Sequence, residues 1–106
     1  DIMHVHDHHT GLIPFMMSHS KKYKLLKKIP TVLTIHNAQY QGQFDFVKLN
    51  HIPKFDKSKI GLLDWDGLIN PLASAIKCAW RITTVSPSYL DELSQKANGL
   101  ETLLAN

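Results

Sequence analysis

A single cysteine, Cys78, in 106 residues excludes an internal disulfide framework and fits a reducing compartment. No uninterrupted apolar run approaches the ~20 residues that a membrane-spanning helix needs. Five glycines and five prolines are too few for a collagen-like or low-complexity chain. Charge of one sign is also scarce. Twelve Lys and Arg against nine Asp and Glu leave +3, which permits anionic ligands without requiring nucleic acid or membrane. Aromatic residues make up 8%, and Tyr23 alone lies in the Lys-rich stretch 21–28, too few for a stacking nucleic-acid surface. That stretch is read as a solvated helix end. What is present is a 43% hydrophobic content, enough for the core of one domain but not two. Asp1 enters a β-favouring run directly, without a Met start, signal peptide or polar leader, so a piece of a longer chain is expected.

Ile2 to His6 (IMHVH) reads as a short buried strand. The polar cluster Asp7-His8-His9-Thr10 follows. Leu12, Met16, Tyr23 and Leu26 then fall near one helical stripe, with Thr10 or Asp7 as the expected cap and Pro30 as the stop. Thr31 to Ile35 (TVLTI) is a second strand, closed by His36-Asn37. Ala38 to Asp66 is an irregular excursion with one short helix expected at Phe44 to Leu49. Asn70-Pro71 opens a helix whose buried stripe is Leu72, Ala75, Ile76 and Ala79. Arg81 to Val85 is a third strand, and Ser86-Pro87 starts a helix with Leu90, Leu93 and Ala97 on its apolar face. A further short helix is expected from Leu100 to Leu104.

Alternating strands and helices predict an α/β fold, a Rossmann-like parallel sheet with helices on both faces. Ligands of such sheets collect beyond the carboxyl ends of the strands. Those ends are Asp7-His8-His9, His36-Asn37 and Ser86-Pro87, so the polar residues concentrate where a site is expected. His4 and His6 alternate and share one strand face, which invites a zinc reading. HVHDHH is similar to the H-x-H-x-D-H signature of metallo-β-lactamase-type hydrolases, but His8 stands where the Asp is required. Histidines in a buried strand more often pack and hydrogen-bond than ligate, and no metal is expected. Cys78, Trp65 and Trp80 are read as packing residues. Ser86 lacks a nucleophile elbow and is read as a helix cap. Tyr40 and Trp65 could offer flat faces to a sugar, which keeps a carbohydrate-binding module as an alternative reading.

Four segments together resemble one family. HVHDHHTGLIP is similar to the H-x-H-D-W-H-x-G-L-x-P segment of bacterial glycogen synthases and plant starch synthases. PTVLTIHNAQYQGQF resembles their P-x-V-x-T-I-H-N-x-x-Y-Q-G-x-F segment, DGLINPLASAI their G-x-I-N-F-L-K-A-G-I, and RITTVSPSYLDEL with GLETLL their T-T-V-S-P and G-L-E-G-L-L segments. The chain departs from the pattern at His8, in place of Trp, and at Pro71 and Ala73, in place of Phe and Lys.

The resemblance implies a single partial domain over 1–106, the later part of the N-terminal Rossmann-like domain of a GT-B enzyme. The family's Lys-x-Gly-Gly-Leu loop and C-terminal domain are absent from these residues. It implies glucose transfer from ADP-glucose to the non-reducing end of an α-1,4-glucan, with retention and without a cofactor. By the same carry-over, His36 is the catalytic residue near the transferred glucose, Asp7 lies near sugar and acceptor, and Asn37, Tyr40 and Gln41 line the acceptor side. The isolated chain is expected to be inactive and to form homo-oligomers. A cytoplasmic location is expected for a bacterial protein, a plastid one for a plant homologue.

Overall fold

The computed structural model describes residues 1–36, 41–84 and Leu100. In chain order its strands are β1 (Met3–His6), β2 (Thr31–Ile35), the two-residue β3 (Asp64–Trp65) and β4 (Leu68–Ile69), and β5 (Arg81–Thr84). Its α-helices are α1 (Ile13–His19) and α2 (Pro71–Cys78). β1, β2 and β5 form a parallel sheet with β2 in the middle, Val5 opposite Leu33 and Leu33 opposite Ile82. The β-branched run TVLTI and the apolar residues of IMHVH favour this pairing, and both strands lie where the sequence places them to within a residue.

The two-residue period of β1 and β2 separates two chemistries. Val5, Leu33 and Ile35 point to one face, where Leu72, Ala73, Ala75 and Ile76 of α2 and the isolated Leu100 bury them. Burying a Leu or Ile side chain contributes about 1.5–3 kcal/mol, so this layer holds α2 to the sheet. The start of α2 follows the sequence closely. Asn70 is the N-cap, its Oδ1 accepting from the Ala73 N–H at 2.9 Å, and Pro71 occupies the first turn. The opposite sheet face carries His4, His6, Thr34 and Thr83, all exposed or half-buried.

The excursion is more ordered than its sequence suggests. Short 3₁₀ helices run over Phe46–His51 and Lys57–Leu62, the first displaced from the expected Phe44–Leu49. Asp45 and Asp56 cap them by accepting from the N–H groups of Val47 and Ser58, each at 3.0 Å. Strands β3 and β4 pair antiparallel across Asp66-Gly67, both at positive φ. These pieces bury a second apolar cluster of Phe15, Ile52, Phe55, Leu63 and Ile69. Phe15 of α1 meets Phe55 edge-on, with ring centroids 4.9 Å apart.

The expected continuous helix through Leu26 is broken by that excursion. Ser20 is extended (φ −83, ψ 130) and bridges Phe55. The Ser20 hydroxyl and the Lys21 N–H both donate to the carbonyl of Lys54, at 3.3 and 3.2 Å. The chain then resumes as a 3₁₀ segment over Lys21–Leu26 with a kink at Tyr23. A helical period read along the chain cannot register bonds offered by a segment more than thirty residues away. Neither Thr10 nor Asp7 caps α1. Leu12 takes the cap position without a side-chain bond, and Pro14 lies in the first turn. The helices expected after Ser86-Pro87 and after Leu100 lie outside the described residues, as does Val85 at the end of the third strand. No helix of the described residues is long and apolar enough to cross a membrane.

Candidate functional site

β1 and β2 run side by side, so their carboxyl ends deliver Asp7 and His36 to the same edge of the sheet. Asp7 leaves β1 in the left-handed region (φ 50), which short polar side chains tolerate better than most. Its backbone N–H still donates to the Thr34 carbonyl at 3.1 Å. Its carboxylate turns across and accepts from the His36 N–H at 2.6 Å. A charged acceptor on an amide makes one of the stronger hydrogen bonds, and this one fixes where the backbone leaves β2. Thr10 closes the turn from below. Its hydroxyl accepts from the His6 N–H at 2.9 Å and lies 3.1 Å from the His6 carbonyl, to which it donates.

On the open face of the sheet the histidines form a row. His6 Nδ1 lies 3.2 Å from His36 Nε2. The His4 and His6 rings stand 4.3 Å apart, and His4 Nε2 hydrogen-bonds the Thr34 hydroxyl at 2.6 Å. The Thr34 hydroxyl meets that of Thr83 at 2.7 Å, so the polar row crosses all three strands. The period of two places His4 and His6 together, but only the pairing with β2 and β5 brings in Thr34, His36 and Thr83. Among the described residues, no group of three or more His, Cys, Asp or Glu is arranged to hold a metal ion.

His8 and His9 stack at 4.0 Å beside an open cavity of about 350 Å³, with Thr10, Met16, Gly42 and Pro71 along its wall. Gly42 sits at φ +74 under the His8 ring, where a Cβ would come within 2.7 Å of Cδ2. The backbone of Gly11 presses still closer to α2, a Cβ there lying 2.4 Å from the Pro71 carbonyl oxygen. Glycine is required at both positions.

Of the residues expected to line the acceptor side, Asn37 and Tyr40 lie outside the described residues. Gln41 is buried, with 3% of its surface exposed. Its side-chain carbonyl accepts from Asn70 Nδ2 at 2.7 Å, which laces the excursion to the cap of α2. Trp65 is half-buried, with Lys77 Nζ 5.4 Å from its ring centre; the same ammonium donates to the carbonyls of Gly61 and Asp64. That Lys77 anchors the β3 region was not legible in the sequence. Trp80 is 57% exposed, with the Arg81 guanidinium over its ring at 4.7 Å. Trp80, expected to pack, is thus mostly exposed and lies at the rim of a cavity beside Cys78.

A family profile described as "Starch synthase catalytic domain" matches residues 1–106. A glycogen synthase of Flavobacterium johnsoniae is 56% identical over 103 residues, which cover 97% of this chain and 22% of that protein. One of Streptococcus uberis is 39% identical over 104 residues, covering 93% of this chain and 21% of that protein. The chain thus spans about a fifth of the length of these relatives. Among solved structures, the catalytic domain of starch synthase IV from Arabidopsis thaliana, bound to ADP and acarbose, superposes with a TM-score of 0.77 at 27% identity. That superposition covers 99% of this chain and 22% of the other.

Proposed function

Because the chain belongs to the starch synthase catalytic-domain family, we propose that it forms part of a glucosyltransferase that moves glucose from ADP-glucose onto the non-reducing end of an α-1,4-glucan with retention. One observation carries this reading beyond the family: His36 and Asp7 meet at the carboxyl ends of neighbouring parallel strands, joined by a 2.6 Å bond. Ligands of such sheets collect there. The structural relative is bound to ADP and acarbose, in keeping with a nucleotide-sugar donor.

In glucosyl transfer the bond from the anomeric carbon to the diphosphate breaks through an oxocarbenium-like state. Hydrogen-bonding groups fixed before the reaction stabilise that state without reorganising. Asp7 supplies the fixing here, since its carboxylate holds the His36 backbone. The His36 ring is assigned to the transferred glucose, and Asn37 and Tyr40 to the acceptor side. Gln41, buried against Asn70, ties the start of the excursion to the cap of α2. Neutralising the diphosphate falls to parts of the enzyme beyond these 106 residues. The bacterial relatives favour a cytoplasmic location over a plastid one.

The test is His36→Ala in the full-length enzyme, assayed by ADP release from ADP-glucose with a maltooligosaccharide acceptor. Turnover is expected to fall by about 100-fold or more, as when a preorganised transition-state contact is lost. The melting temperature should move little, because His36 is exposed. Near-normal turnover with a collapsed melting temperature would identify His36 as a packing residue instead.

A further inference from the structure

We propose that His6 is a positioning residue for His36, setting which nitrogen of the His36 ring faces the substrate. The proposal rests on the reading of His36 as the group beside the transferred glucose. His6 Nδ1 and His36 Nε2 are 3.2 Å apart, and two imidazole nitrogens at that distance need one hydrogen between them. If His36 donates, its Nδ1 is left as an acceptor. If His6 donates, His36 Nδ1 carries the proton and is left as a donor. In both cases Nε2 is committed to His6, so Nδ1 is the ring nitrogen available to a sugar hydroxyl.

The His6 ring is itself held. Its backbone N–H is bound to the Thr10 hydroxyl, and its ring lies 4.3 Å from that of His4. His4 is tied to Thr34, and Thr34 to Thr83, at 2.6 and 2.7 Å. A rail of side chains therefore runs from β5 across β2 and β1 to His6, and ends on the His36 ring at a centroid distance of 5.4 Å. Packing does not account for the arrangement, because His4, His6 and His36 are all exposed.

The experiment compares His6→Leu and His6→Asn in the full-length enzyme. An Asn amide reaches the position of the lost Nδ1, whereas Leu offers no polar atom. His6→Leu is expected to lower kcat by about 10- to 100-fold, the cost of a loosened catalytic group. KM should stay within about twofold, and His6→Asn should recover most of the rate. In parallel, ¹⁵N-edited spectra of the unmodified enzyme should show a coupling across the hydrogen bond between His6 Nδ1 and His36 Nε2. That spectrum keeps the test decisive even where His6→Leu folds poorly, since a His36 Nε2 without such a coupling overturns the proposal. Unchanged kcat in His6→Leu, with His36→Ala inactive, overturns it as well. If His36→Ala also retains full activity, the reading of His36 itself fails.

Discussion

Single side chains here are decided by what they meet across the sheet. Asp7 looks in sequence like a ligand-facing carboxylate, yet one of its oxygens holds the backbone of His36. Its contribution to a site therefore includes building it. Cys78 shows the opposite outcome, a polarisable group withdrawn from chemistry. Burial pushes its thiol from 9.0 up to about 11. The folded chain keeps that proton where the unfolded chain gives it up. The associated stability is thus complete below pH 9 and drains away as pH rises toward 11. Two pH units also mean about 100-fold less thiolate in the native state at pH 8. A disulfide-forming thiol reagent at that pH should accordingly react about 100-fold more slowly with the native than with the urea-unfolded chain. Equal rates would show that the thiol is not held in this environment.

Among the elements, α2 was the most legible and α1 the least. Asn70-Pro71 is a start signal whose bonds are local: the cap side chain reaches an N–H three residues on. What the sequence does not reveal is that the same Asn70 amide donates to the buried Gln41 carbonyl, 29 residues away. Asn70→Ala should therefore cost more than a lost cap. A cap is worth about 1 kcal/mol and a buried hydrogen bond about as much again, so a loss of about 2 kcal/mol is expected. Urea unfolding at low protein concentration measures it, with Asn70→Asp, which keeps only the acceptor, falling between. A loss under about 0.5 kcal/mol would mean that neither bond carries the element. In α1 the local pattern favoured a longer helix, and the Lys54 carbonyl ended it at Ser20.

For the whole molecule, the described sheet has β1 and β5 at its edges and one polar, uncovered face. Strand edges with unpaired backbone groups recruit other strands. The exposed apolar side chains of Ile2, Leu25, Val47 and Ile82 add to that tendency. The isolated 106-residue chain should form dimers or larger species at micromolar concentration, visible by light scattering after size exclusion. It should also release no ADP from ADP-glucose in the presence of a maltooligosaccharide, because the chain spans about a fifth of its relatives' length and its cavity beside His8 is open. A well-behaved monomer would show that three strands close a sufficient core, and measurable turnover would show that these residues hold the diphosphate unaided.

The sequence by itself determined the three parallel strands, the start of α2, and the gathering of Asp7 and His36 at the strand ends. Those features rest on β-branched runs, on a cap and a proline in the right order, and on a two-residue alternation, all of which act within a few residues. Only the tertiary structure decided that α1 stops at Ser20, that the excursion builds a second core around Phe15 and Phe55, and that His6 reaches His36. Each depends on atoms about thirty or more residues apart. Such contacts form only once strand register and core packing have fixed which distant groups meet, and no local propensity encodes that choice.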